Sequence, residues 1–186
     1  MSSSLPRIEF SDFPAALAAA LEPRVKRLGY LGEFFKCAAH QPGALAAFME
    51  FTEASQEGLP KRLIEVIALT CTVRMDNRYE CNQHERLCVR LGFGRDWVAA
   101  VNALKPEADS VLTAEERSVQ RLALTVLETQ GSSAGALFED IVQRLGPRLA
   151  IATLMVIARS MAHGLIVNTL ALEPPVPSIF EDGFAG

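Results

Sequence analysis

Glu65, Glu80 and His84 are the side chains of this sequence best spaced to do chemistry together. Glu80 and His84 are four residues apart, so on a helix they share one face with Cβ atoms about 5–6 Å apart. A carboxylate beside an imidazole raises the imidazole's pKa and fixes its tautomer, which is what a proton-transfer site requires. The competing reading is a solvated helix face, where such a pair adds a few tenths of a kcal/mol. Glu65 weighs against it. It stands among Ile64, Val66, Ile67 and Ala68, and glutamate is rarely buried without a partner. His84 is the candidate partner.

Two helices must position these groups. Pro60 suits a helix's first position, where a missing N–H costs nothing. Leu63, Ile64, Ile67, Ala68 and Cys71 then recur at three- and four-residue steps, an apolar helical stripe. Met75-Asp76-Asn77 breaks the stripe, and a second helical pattern runs from about 78 to 91 before Gly92. The result is a hairpin with Glu65 on one arm and Glu80 and His84 on the other.

The rest of the chain reads as helix almost throughout, with no convincing period-two strand. Helices are expected over about 12–28, 33–39, 42–54 and 95–104. Thr113 and Glu116 form a capping box for a helix reaching about 129. Ser132 or Ser133 is expected to cap the next helix, which stops at Gly146, and Pro147 opens a long final one. Glu173-Pro-Pro ends that helix and leaves an extended tail. Two tripeptides hint at a repeat: Ala68-Leu-Thr returns 55 residues on, at Ala123, and Arg90-Leu-Gly returns 54 on, at Arg144. Nothing like Glu80 or His84 recurs at that offset.

The residues L-P-K-R-L-I-E at 59–65 and H-E-R-L-C at 84–88 resemble the signature helices of the carboxymuconolactone decarboxylase and alkylhydroperoxidase D-like superfamily. The resemblance covers most of the chain from about Phe34, with residues 165–180 similar to its last helix and Pro-rich tail. It implies an all-α, single-domain bundle over residues 11–186, with the signature region at about 60–104 and a long C-terminal helix. Residues 1–10 are expected to be a flexible N-terminus. The peroxidase branch carries a C-x-x-C pair before its histidine; counting back from His84 puts those positions at Asn77 and Glu80. The Glu and His are kept and both redox cysteines are absent. Tyr79, Glu80, Gln83 and His84 look like a subgroup lacking the pair, and a glutamate four before the histidine also resembles the lactone decarboxylase branch.

The chemistry this implies is cofactor-free acid–base work, of decarboxylase or isomerase type, on a small carboxylated or lactone substrate. His84 is the general acid or base, Glu65 orients it, and Glu80 shares that role or repels substrate. Arg159 and Tyr79 are the expected substrate-binding residues; an arginine amid Ile157, Ala158 and Met161 wants an anion. An ion pair from Arg159 to Glu65 or Glu80 is the alternative. The runner-up activity is a thiol peroxidase using Cys81, one turn from His84 and resolved by an external thiol; Cys81 otherwise reads as a half-buried hydrophobe. A third reading is a non-enzymatic, ligand-binding oligomer, since the family forms trimers or hexamers. Cys81 and Cys88 lie about 10 Å apart along one helix, too far for a disulfide. Cys81, His84 and Cys88 are splayed too widely for one tetrahedral metal, so no metal and no cofactor are expected. Cys37, Cys71 and His163 read as core, and His40 as helix-end chemistry.

Composition bounds these readings. The chain has 186 residues, 49% hydrophobic and 22% charged, which suits one domain with a sizeable core. A net charge of -4 with no Lys/Arg cluster argues against nucleic acid. Four cysteines without small-domain spacing, and no recognisable signal peptide, predict free thiols in the cytoplasm. Residues 149–172 are the most apolar stretch, but Arg159, His163 and Asn168 inside it point to a core or subunit-packing helix rather than a membrane span. The expected partners are a small-molecule substrate and further copies of the chain, as a dimer, trimer or hexamer.

Overall fold

The computed structural model describes residues 4–108, 111–181 and 184. The first three residues of the polar N-terminus, and two of the connection between 105 and 111, lie outside them. The described residues contain helices and turns and no strand. After a short 3-10 turn at Phe10–Asp12 come α1 (Ala15–Leu28), α2 (Glu33–Ala38), α3 (Pro42–Ser55), α4 (Lys61–Arg74), α5 (Arg78–Arg90), α6 (Arg95–Asn102), α7 (Ala114–Thr129) and α8 (Gly135–Thr169).

The centre is α4. Ten consecutive residues, 63 to 72, are buried, because α5, α6, α7 and α8 pack around it. Pro60 sits one place earlier than its spacing suggests: it is the N-cap, and its carbonyl accepts from the Leu63 and Ile64 amides at 3.0 and 3.2 Å. The hairpin to α5 turns at Asp76, whose backbone is left-handed (φ 52°), and Asn77 caps α5 by accepting the Glu80 amide at 3.1 Å. Thus Asn77 serves here as a helix cap. Such a cap is worth about 1 kcal/mol.

The capping box of α7 forms as its residues predict. The Glu116 amide donates to Thr113 Oγ1 (3.2 Å), and Glu116 Oε2 accepts from the Thr113 amide (2.8 Å). The buried Glu116 is also held by Arg62 at 2.5 Å and by Trp97 Nε1 at 3.3 Å. The start of α8 corrects the expectation that Ser132 or Ser133 caps it. Ala134 is the N-cap and brings no side-chain bond, because Ser132 Oγ is spent on the Thr129 carbonyl and the Ser133 amide on Thr129 Oγ1. Within α8, Gly146 breaks the helical backbone (φ 78°, ψ 163°) and Pro147 restarts it. By length and composition alone α8 could cross a membrane, yet half of its most apolar stretch is buried inside the protein.

The core has two parts. One joins α4 through α8 and takes in Ile179 of the tail. The other joins α1, α2 and α3 to Tyr79 of α5 and to Val167 and Leu172 at the far end of α8. Leu5, Ile8 and Phe10 pack on that second part, which differs from the reading of residues 1–10 as loose. These apolar side chains dock the N-terminal segment, the Ile8 amide donates to the Lys36 carbonyl (3.2 Å), and Arg7 pairs with Glu33 (2.8 Å). His40, rather than serving a helix dipole, places Nε2 2.9 Å from the Pro6 carbonyl in the same segment. At the other end, the tail crosses α5. Asn82 and Arg86 donate to the Val176 and Pro177 carbonyls (2.9 and 2.8 Å), and the buried Glu85 accepts from Ser178 Oγ and the Ile179 amide (2.5 and 3.1 Å).

Candidate active site

Between the two parts of the core, α4, α5 and α8 bring together the charged groups that the sequence singles out. Glu65 is 3% exposed, and its Oε2 lies 2.7 Å from His84 Nδ1. His84 Nε2 faces Glu80 Oε2 at 3.6 Å. The same Glu80 oxygen lies 3.2 Å from His163 Nδ1 and 4.0 Å from Arg159 Nη1. Its other oxygen accepts from Gln83 Nε2 at 3.3 Å. One carboxylate atom therefore faces two imidazoles and a guanidinium, and a second carboxylate backs the first imidazole.

Geometry and burial set the charges. Burial alone would push the His84 imidazole down, but the charge and hydrogen bond of Glu65, then those of Glu80, override it and raise its pKa to about 10. Burial would push the Glu80 carboxyl up, yet His163 and then His84 hold it well below the usual carboxylate range. Its place in the first turn of α5 acts in the same direction. Burial pulls the Arg159 guanidinium down and Glu80 partly restores it; an arginine keeps its proton regardless. At neutral pH the site holds His84 as imidazolium between two carboxylates.

A small cavity of about 40 Å³ adjoins these groups, with Glu80, Arg159, His163 and Tyr79 in its walls. It has room for roughly one to three waters. Arg159 spends Nε on Thr52 Oγ1 (3.0 Å), lies over the Phe48 ring (5.3 Å) and stands beyond hydrogen-bond reach of Glu80. A guanidinium carries several further N–H donors, so much of its capacity is left for a guest. Tyr79 is part of the wall. Its hydroxyl accepts from the Phe34 amide at 3.2 Å, doing for α2 what a capping serine would do. That explains the glycine at position 32, where a Cβ would lie 2.7 Å from the tyrosine oxygen.

His163 is the residue that sequence reasoning misses. It is 4% exposed, as a core histidine would be. But it lines the cavity, and its Nδ1 has no aligned hydrogen-bond partner despite the short approach to Glu80. The available signal is its place one turn after Arg159, on one face of an apolar helix.

The thiols engage other groups. Cys81 Sγ lies 3.6 Å from Glu85 Oε1, and burial followed by the Glu85 charge pushes its pKa to about 12. Cys88 Sγ approaches Glu65 Oε2 at 3.7 Å, the oxygen that binds His84, and burial pushes its pKa up as well. Cys71 is buried and pushed to about 12. Cys37 is buried in α2.

This order of helices, with a charged hairpin against a long final helix, is the alkylhydroperoxidase D-like fold. The chain superposes on an AhpD-core protein from Ralstonia eutropha JMP134, described as uncharacterized and peroxidase-related, with a TM-score of 0.78 and 18% identity over 94% of this chain and 93% of that one. It also superposes on a protein of unknown function from Agrobacterium tumefaciens, proposed to be an AhpD antioxidant defence protein, with a TM-score of 0.65 and 19% identity over 75% of this chain and 96% of that one. No protein-family model and no curated protein matches the sequence.

Proposed function

We propose that this protein is a cofactor-free acid–base enzyme acting on a small carboxylated or lactone substrate, in the manner of a decarboxylase or isomerase. The observation that carries the reading is the Glu80 carboxylate, approached by two imidazoles and Arg159 at the wall of a small cavity. The guanidinium takes the substrate carboxylate. The cavity admits the reacting end of a small molecule, with the remainder beyond its mouth. In a decarboxylation the C–C bond breaks, CO2 leaves, and the electron pair passes into the neighbouring carbonyl. One proton from an imidazolium of the site then closes the carbon, and solvent replaces it. Burial strengthens each of these electrostatic contacts relative to water.

A second reading is a thiol peroxidase, since one structural neighbour is described as peroxidase-related. A Cys81 thiol with a pKa of about 12 is thiolate in only about one molecule in 10⁵ at neutral pH, which supports the acid–base reading instead. Self-assembly accompanies the proposal: Ile151, Met155, Leu165 and Ile166 form an exposed apolar line along α8, a face suited to another copy of the chain.

The test is turnover of γ-carboxylated unsaturated lactones, with deuterium uptake from D2O followed by NMR. His84→Gln should lower turnover on the order of 10²–10⁴-fold, while Cys81→Ser leaves it unchanged. Undiminished turnover in His84→Gln, or a peroxide-reducing activity that disappears in Cys81→Ser, would overturn the reading.

A further inference from the structure

We propose that His163, not His84, is the imidazole that exchanges a proton with substrate, and that His84 is a resident cation whose task is to hold Glu80 in place. The proposal rests on the acid–base reading and assigns its central group.

The two imidazoles differ in what surrounds them. Both nitrogens of His84 are directed at carboxylates, Nδ1 at Glu65 (2.7 Å) and Nε2 at Glu80 (3.6 Å), and the cavity is lined without this ring. Removing its proton leaves two buried carboxylates without the cation they share, a costly state. His163 is the reverse case. Its ring is in the cavity wall, is 4% exposed, and carries a buried Nδ1 with no aligned partner. Its approach to Glu80 Oε2 at 3.2 Å is poorly aligned, so a guest placed in the cavity can offer this nitrogen a better hydrogen bond. The ring is already fixed for such use: Phe34 meets it edge-on with centroids 4.2 Å apart, and Phe48 stacks on it at 6.0 Å.

The arrangement also defines the substrate class. Arg159 and His163 are four residues apart on α8, so they share one face about 5–6 Å apart at Cβ. A carboxylate held by Arg159 sets the carbon next to it, or the next along a conjugated chain, against His163. In an isomerisation, neutral His163 takes the proton from that carbon. The C–H bond breaks, its electron pair moves into the adjacent carbonyl, and the new N–H later returns the proton to a second carbon. In a decarboxylation, His163 starts protonated, gives its proton to the carbon that has lost CO2, and regains one from water. The charged and titratable groups around His163 are Glu80, His84 and Tyr79 of α5, Arg159 of α8, and Arg24 and Tyr30 in the cavity wall. From α2 and α3 it meets the uncharged Phe34 and Phe48.

The deciding experiment combines binding and kinetics on the full chain. In protein labelled with nitrogen-15 histidine, sodium acetate should move the His163 ring nitrogens, while His84 keeps the spectrum of an imidazolium through neutral pH. An unmoved His163, or shifts confined to His84, would overturn the proposal without recourse to any variant. In turnover, His163→Gln should lower kcat on the order of 10²–10³-fold and abolish the solvent deuterium isotope effect on kcat. His84→Gln should keep that isotope effect. Persistence of the isotope effect in His163→Gln sinks this assignment and leaves the acid–base reading standing. Absence of turnover in the unaltered protein sinks the acid–base reading, and the acetate titration still decides the place of His163.

Discussion

Helices α4 and α7 pack against each other in the core, and each buries a long polar side chain at a matching offset. In α4 the residue is Glu65; 55 positions on, in α7, it is Gln120. Gln120 is fully buried, and its amide donates to Thr70 Oγ1 (3.2 Å) and to the Val101 carbonyl (2.8 Å). It ties α7 to α4 and α6. Glu65 instead meets an imidazole. The following helices repeat the contrast: where α5 has Glu80 and His84, Ala134 and Phe138 stand 54 positions on, around the start of α8. Two halves with a similar order of helices thus share few residues, and they contribute unequally to the site: the first brings Glu65, Glu80 and His84, the second Arg159 and His163. A buried charge persists where its counter-charge comes with it, and function resides in such groups rather than in the fold.

Giving α4 the residue of α7 should have the largest effect. Glu65→Gln should lower turnover on the order of 10²–10⁴-fold and release His84 from its elevated pKa. A histidine near 6.5 when unfolded and about 10 when folded adds stability that is complete below about 6.5 and lost as pH rises through about 10. Thermal unfolding across that range should therefore show a falling melting temperature, and Glu65→Gln should flatten the fall. An unchanged slope would mean that Glu65 does not hold the proton.

The reverse exchange, Gln120→Glu, places a carboxylate against the Thr70 hydroxyl and the Val101 carbonyl that the buried amide now serves. Urea titration should register a loss of about 3–5 kcal/mol at neutral pH, shrinking as acid neutralises the new group. A neutral outcome would erase the distinction between the halves. A smaller effect tests what they share. Gly94 (φ 85°, ψ 156°) and Gly146 (φ 78°, ψ 163°) open the third helical segment of each half from a backbone region essentially reserved for glycine. Gly146→Ala should cost about 1–3 kcal/mol, although an added Cβ meets no atom within 4 Å, and Gly94→Ala should match it in the same urea titration.

Much of this is legible from residues whose environment is set locally. Glu65 lies in a run of ten buried positions, so its need for a partner follows from desolvation alone. The Thr113–Glu116 capping box is a four-residue signature and forms as written. What escapes such reasoning depends on which surfaces meet. His163 looks like a core histidine until α8 lies against α5 and Glu80 comes within 3.2 Å. The docking of Leu5, Ile8 and Phe10 depends on the apolar faces of α1, α2 and α3. Likewise, the tendency of Cys81 to keep its proton comes first from its burial and then from Glu85, a residue that Ser178 of the tail bonds.

That tail carries a lesson about timing. Ser178 reaches Glu85 across a separation of 93 residues. On a ribosome, α5 emerges well before the segment that clasps it, so the histidine-bearing helix waits some 93 residues of synthesis for its fastening. Fastening of the hairpin accordingly follows its emergence rather than accompanying it.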